Sequence, residues 1–152
     1  MFNLKTWKDG ERIAQRYMKR EGYKIIYTNF AVAGTELDVV AIYPKNLQIK
    51  KLKKELKEKL KAEQNKKKQE MLKKSYENII KTTNDLLVIT EVKARSTDEF
   101  GKGFDAMDLK KRAHLIRGAK ALKQEERFAT LQVRFDVASV DKGKLEYIEN
   151  AI

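Results

Sequence analysis

An α/β domain built on one mixed sheet, with helices packed against it, is the fold class that the sequence predicts. Three observations carry it. Apolar segments of strand length recur at 23–29, 36–43, 86–93, 131–140 and 145–148. Helix-period stripes precede the first of these and separate the third from the fourth. Between the second and third lies a lysine-rich stretch whose leucines return every four residues. The order is α-β-β-(helical insert)-β-α-β-β, a single domain over residues 1–152 with a Lys-rich helical insertion at 45–83.

The first helix has start and stop signals. Thr6 and Asp9 resemble a capping box in its aspartate form, and Gly22 ends the helix. On a helical wheel Trp7, Gly10, Ile13, Ala14, Tyr17 and Met18 form one broad stripe, with Glu11 at its margin. A strand follows at Tyr23–Asn29, and Ala33-Gly34-Thr35 turns the chain into a second at Glu36–Tyr43, closed by Pro44. Within the insert, Leu52, Leu56 and Leu60 form one stripe, and Met71, Leu72, Tyr76, Ile79 and Ile80 a second. A single rod over 45–83 would be about 58 Å long and would carry the chain far from its sheet. If the flanking strands are neighbours, as their matching acid-bearing patterns imply, the insert is a helical hairpin bending near Gln64-Asn65-Lys66. After the strand at Leu86–Lys93 and a loop at Ser96–Gly103 comes a helix from Asp105 to Gln124. Its apolar face gathers Met107, Leu115, Ala119 and Leu122, with Lys111 inside that arc. Strands at Leu131–Val140 and Leu145–Ile148, joined by Asp141-Lys142-Gly143-Lys144, close the chain.

Composition narrows the class. A chain of 152 residues with 41% apolar content can bury a single core. A net charge of +12 favours polyanionic partners. That charge is concentrated: residues 45–83 hold 14 lysines against five glutamates, a net +9. The absence of cysteine excludes disulfides and thiolate metal sites. No apolar run suits a signal peptide or a membrane span, so a soluble, cytoplasmic protein without membrane attachment is expected. No Walker-type phosphate loop and no Ser/His/Asp arrangement occurs.

The chemistry lies in carboxylates placed where a core excludes them. Glu36-Leu37-Asp38-Val39-Val40-Ala41-Ile42 and Leu86-Leu87-Val88-Ile89-Thr90-Glu91-Val92-Lys93 are apolar strands bearing acids, and period two sets Glu91 and Lys93 on one face. Burying charge without a partner is costly, and a metal ion or a reacting phosphate is a common reason to accept it. The inward-leaning charges are Glu11, Glu36, Asp38, Glu91, Lys93 and Lys111. Asp38 and Glu91 on adjacent strands could hold Mg²⁺ or Mn²⁺, with Lys93 orienting an attacking water or stabilising the transition state. This pattern points to metal-dependent cleavage of a phosphodiester.

An acid on one strand followed by Glu-x-Lys on the next resembles the PD-(D/E)xK nuclease superfamily, whose fold is restriction-endonuclease-like. The closer likeness is to a bacterial family of predicted endonucleases typified by YraN. It is carried by "GERIAQRYMKREGYKIIYTN" (Gly10–Asn29), "GTELDVVA" (Gly34–Ala41), "ITEVKARS" (Ile89–Ser96), "FGKGFDAMDLKKRAHLIRGAKAL" (Phe100–Leu122) and "RFDVASV" (Arg134–Val140). Glu-x-Lys alone is common in a lysine-rich chain; the order and spacing of the five segments are what is specific. The resemblance implies catalytic roles for Glu11, Asp38, Glu91 and Lys93, metal binding by Asp38 and Glu91, and phosphate contact by Lys111. Nucleic acid is the expected partner, DNA preferred with RNA left open, and the resemblance raises a catalytic homodimer, since small nucleases of this fold often pair. The chain departs from the family pattern at Ala31, where an arginine is common, at Thr35, where a glycine is usual, and at the insert, where relatives join the strands by a short turn.

Plainer readings stand beside these. Glu11 is also what a helix N-terminus favours. Asp38 and Glu91 could be structural partners of Lys93. Glu36 begins its strand and is placed for an accessory role or for solvent. Asp136 reads first as a structural partner of Arg134 or of a backbone turn, and His114 as a rim residue. The insert admits three readings: nucleic-acid contact, a solvated hairpin, or self-association through Leu52, Leu56 and Leu60. The rival to the whole enzymatic reading is a nucleic-acid-binding protein on a nuclease scaffold with weak or no catalysis.

Overall fold

In the computed structural model, residues 7–95 and 109–152 are described. Thr6, the 96–103 loop and the helix start expected at Asp105, with Met107, lie outside them. The elements are α1 (Trp7–Arg20), β1 (Lys24–Val32), β2 (Thr35–Tyr43), α2 (Lys45–Ala62), α3 (Lys66–Thr82), β3 (Leu86–Arg95), α4 (Leu109–Leu122), a 3₁₀ turn (Glu126–Phe128), β4 (Gln132–Asp141) and β5 (Lys144–Ile148). The five strands lie side by side in chain order. All neighbours are antiparallel except β3 and β4, which run parallel and are connected through α4. With α1 on one face and α4 on the other, this is a mixed α/β architecture of the restriction-endonuclease-like kind.

Local chemistry sets the boundaries. Gly22, at φ +92, is the left-handed residue of a Schellman motif that ends α1: Tyr23 N–H donates to Met18 O at 2.9 Å and Gly22 N–H to Lys19 O at 3.1 Å. The β1–β2 turn places Ala33 and Gly34 at φ 51 and 73, and the β4–β5 turn places Lys142 and Gly143 at φ 50 and 81. Two consecutive left-handed residues make the primed hairpin turn whose twist matches its strands. β1 therefore runs to Val32, three residues beyond the expected strand end, because the turn needs only two residues.

Two cores sandwich the sheet. Met18, Tyr23, Val39, Ala41, Tyr43 and Val88 pack on the α1 side. Leu37, Val40, Leu87, Ile89, Leu115, Ala119, Leu122, Phe128, Leu131 and Val137 pack on the α4 side. Each fully buried Val, Leu, Ile, Phe or Met side chain among them stabilises the fold by about 1.5–3 kcal/mol. Phe128, on a 3₁₀ turn that the sequence pattern does not announce, is among the most buried.

Strict alternation fails twice along the β1–β2 ribbon: the register shifts by one between Ile25 and Tyr27, and the pleat breaks again at Asn29 and Asp38. The β1–β2 ladder pairs Thr28 with Val39 and then Phe30 with Leu37, skipping Asn29 and Asp38. Asn29 is left-handed, at φ 49. As a result Leu37 and Val40 both reach the α4-side core, an odd number of residues apart. Asp38 sits at that break in the pleat.

The insert is a hairpin, as the adjacency of its flanking strands β2 and β3 requires, with its break at 63–65. Asn65 caps α3, its side chain accepting Lys68 N–H at 3.2 Å. Its foot is tied down where Asp85 Oδ1 accepts Lys45 N–H at 2.8 Å, and Gln48 donates to Asn84 O at 2.8 Å. Asp136 proves structural in both expected ways. It holds Arg134 through two bonds of 2.7 and 2.8 Å, and it accepts Asn150 N–H at 2.9 Å and the Tyr147 hydroxyl at 2.6 Å. Among the described residues no helix is long and apolar enough to cross a membrane.

Candidate carboxylate site

β2 and β3 are adjacent and antiparallel, with Val39 opposite Thr90, so the register carries Asp38 to the level of Glu91. The last ladder bond there is made by a side chain: Val92 N–H donates to Asp38 Oδ2 at 2.8 Å. That bond anchors the Asp38 carboxylate across the strand boundary. Glu91 points towards α4, where Lys111 Nζ meets its Oε1 at 2.7 Å. Its Oε2 is buried with no hydrogen-bond partner.

α1 brings the third acid. Its Gly10 lies so close to β3 that a Cβ there would fall 2.5 Å from Ala94 Cβ. This close approach seats Glu11 beside the strand end, where it is 7% exposed and accepts a 3.1 Å bond from Asn29 Nδ2. Glu11 is thus more buried than a position at the stripe margin implies.

Glu11, Glu36, Asp38, Glu91, Val92, Ala94 and Lys111 line one pocket of about 350 Å³. Five of the six charges singled out in the sequence therefore converge. Lys93 is half-buried two places beyond Glu91 and is not among the described residues lining this pocket. His114 is half-buried on α4 and does not line it either. Sequence reasoning missed Asn29, which it treats only as a strand end. The available signal was an asparagine in an apolar strand, the residue type that, after glycine, best tolerates a left-handed backbone.

The electrostatics follow from crowding acids in a half-closed space. Burial pushes the Asp38 carboxyl up to about 7, and the Glu91 charge beside it pushes the same way. The Val92 N–H and the Lys111 ammonium oppose this. Burial also raises Glu11; the Asn29 bond works against it, and the Asp38 and Glu36 charges work with it. When both are ionised, Asp38 and Glu91 have no proton to share and Glu91 Oε2 has no donor; a proton on Asp38, which its hydrogen bond with Glu91 favours, or a cation supplies what is missing.

A cation suits that deficit. Among the described residues no group of three or more His, Cys, Asp or Glu is disposed to enclose an ion. Two carboxylates with water and substrate oxygens completing the shell is instead the habit of Mg²⁺. The larger cavity, about 570 Å³, lies at the opposite end of the sheet, between the hairpin foot and the starts of β3 and β4. Its cations are already engaged, Arg134 with Asp136 and Glu149, and Lys51 with Glu149. The smaller pocket, where the carboxylates converge, is therefore the candidate site.

The family model described as "Uncharacterised protein family UPF0102" matches residues 10–140. Across nearly the whole chain the sequence is similar to a UPF0102 protein of Thermodesulfovibrio yellowstonii, 27% identical over 155 residues, covering 99% of this chain and 98% of the relative. A UPF0102 protein of Alkaliphilus oremlandii is 26% identical over 155 residues, covering 98% of both chains. One of Pseudomonas fluorescens is 24% identical over 152 residues, covering 98% of this chain and 93% of the relative.

Proposed function

Since the chain belongs to the UPF0102 family, the YraN family of predicted endonucleases, we propose that it hydrolyses phosphodiester bonds in nucleic acid, DNA in preference, with a divalent cation held by Asp38 and Glu91. The observation that carries this reading is the meeting of those two carboxylates on adjacent strands, with one buried oxygen lacking a donor. When bound, Mg²⁺ or Mn²⁺ would supply Lewis acidity at the scissile phosphate.

The chain's own residues do the rest. Asp38 is fixed by Val92 N–H so that one oxygen stays directed at the pocket. Lys111, 39% exposed, can leave Glu91 Oε1 for a phosphate oxygen entering the mouth. Glu11, steadied by Asn29, would order water or a second ion beside Asp38. Glu36, exposed on the rim, has an accessory place. Lys93 is assigned to the attacking water or the transition state from the Glu-x-Lys pattern.

The decisive assay follows linear, nicked, branched and single-stranded DNA, and RNA, with Mg²⁺ or Mn²⁺. Parent protein is compared with Asp38→Ala and Lys93→Ala. Cleavage is expected from the parent and lost in both variants; cleavage surviving both would sink the reading. One observation favours the rival of a binding scaffold without catalysis: Lys111 already neutralises one carboxylate. Nucleic-acid binding with no cleavage under any of these ions would favour that rival.

A further inference from the structure

The α2–α3 hairpin stands off the sheet and packs chiefly on itself: α2 has no buried residue and α3 has one, Tyr76. Tyr76 donates to Glu55 Oε1 at 2.8 Å, and the Lys59 ammonium lies 3.0 Å from the same oxygen. That Glu55 charge is therefore already satisfied within the arm. The whole segment still carries 14 lysines against five glutamates.

Part of this charge is ordered. Lys53, Lys57 and Lys61 follow one another at four-residue intervals, a single ridge with steps of about 6 Å. With Lys73 reaching from α3 they border a groove of about 420 Å³ floored by Leu56 and Leu60. No carboxylate lines it, and none of the four lysines has an acid in ion-pair contact among the described residues. Lysines one turn apart repel, and a solvated face relieves that by interleaving glutamates. Along the Lys53–Lys57–Lys61 row no glutamate interleaves, and Glu58, Glu70 and Glu77, each a turn from Lys61 or Lys73, stand outside ion-pair distance of them. A second copy of the arm cannot relieve it either, because each arm brings a further +9.

An extended polyanion can. The Lys53–Lys57–Lys61 ridge spans eight residues of α2, about 12 Å, more than a single phosphate group covers, so its occupant is a run of successive backbone phosphates.

We propose that the α2–α3 hairpin is a backbone-gripping arm for double-stranded nucleic acid, with phosphates seated along the Lys53–Lys57–Lys61 ridge and against Lys73. The arm needs neither cation nor hydrolysis, so it stands apart from the cleavage reading. Binding that persists without cleavage removes that reading and leaves the arm; cleavage with binding indifferent to the arm does the reverse.

The test is binding of a labelled DNA duplex by the full chain in EDTA, between about 50 and 200 mM salt. A variant carrying Lys53→Gln, Lys57→Gln, Lys61→Gln and Lys73→Gln keeps good helix formers, and circular dichroism checks that its helices persist. Its slope of log affinity against log salt should be shallower by about 3, and its binding at the middle of that range weaker by about 100-fold. A control with Lys19→Gln, Lys24→Gln, Lys123→Gln and Lys144→Gln has the same net charge and should lose far less. Equal losses would mean diffuse charge, and an unchanged slope in the arm variant would mean no grip; either overturns the proposal. Two further results would overturn it: phosphatidylserine vesicles outcompeting the duplex at equal salt, with that binding lost in the arm variant, or sedimentation showing a DNA-free dimer that the same substitutions dissolve.

Discussion

The Lys111 ammonium meets Glu91 Oε1 at 2.7 Å, tying α4 back onto the strand that precedes it. The Glu91 side chain is only 8% exposed, so its charge depends on the few groups around it. Lys111→Met would leave Glu91 and Asp38 as neighbouring acids with less compensation. Losing one partner of a wholly buried pair costs about 3–5 kcal/mol, and the partly solvated ammonium reduces this to about 1–3 kcal/mol. Urea unfolding in EDTA near pH 8 measures it. Mg²⁺ or Mn²⁺ should then raise the melting temperature of the variant more than that of the parent, because a cation replaces the missing charge. Equal shifts in the two proteins would remove Lys111 from the cation's competition for Glu91.

Asp38 gives the fold a specific pH dependence. Its carboxyl is pushed from 3.8 to about 7 on folding, chiefly by burial and next by the Glu91 charge. Between those two values the folded chain holds a proton that the unfolded chain has lost. The protonated side chain's contribution is therefore complete below about pH 4 and is lost as pH rises through 7. Asp38→Asn mimics the protonated form: its carbonyl oxygen can still accept Val92 N–H and its amide can donate towards Glu91. In the absence of divalent ions the variant should match the parent near pH 4 and exceed it near pH 8 by about 2–4 kcal/mol. A stability gap that does not change with pH would contradict the burial of this charge.

The candidate site is legible in the sequence because its acids break an otherwise strict apolar rule, and the sheet because each strand announces itself by composition. Glu91 and Asp38 fall on neighbouring strands, as matching patterns require. What the sequence does not reveal is orientation near Asn29. Period-two reasoning assumes an unbroken pleat, yet the ladder shifts register between Ile25 and Tyr27, and at Asn29 and Asp38 the facing changes with no shift of register. The burial of Glu11 is hidden for a related reason. A helical wheel ranks positions on α1, but the depth to which that helix sinks is set by Gly10 against Ala94, a contact between distant segments. Phe128 escapes because a three-residue 3₁₀ turn has too few residues to show a period.

Asn29 is held by two separable requirements, a left-handed backbone at φ 49 and a 3.1 Å bond to Glu11. Asn29→Gly keeps the first and removes the second, so it should cost about 1 kcal/mol and raise the Glu11 carboxyl further. Asn29→Ala removes both and should cost about 1–2 kcal/mol more, since a Cβ is strained there. Urea unfolding of the pair, with an NMR titration of Glu11, checks the order. Alanine as well tolerated as glycine would show that the backbone relaxes at this position.

Gly10 controls how closely α1 approaches the pocket. A Cβ there would stand 2.5 Å from Ala94 Cβ, where carbon atoms ordinarily stay about 3.5–4.0 Å apart. Gly10→Ala must therefore lift α1 by about 1 Å, at a cost of about 1–3 kcal/mol. Glu11, the next residue, moves with the helix, and a displacement of that size can lower a positioned reaction about 100-fold. Ala94→Gly removes the other half of the collision. Alone, it should destabilise β3 by about 0.5–1 kcal/mol, but on the Gly10→Ala background it should restore stability. The double-mutant cycle thus has a definite sign: the pair is more stable than the sum of its singles predicts. Urea unfolding of all four proteins, read beside the Glu11 titration, decides it. An additive cycle would mean that α1 does not rest on Ala94, and the seat of Glu11 would need another support.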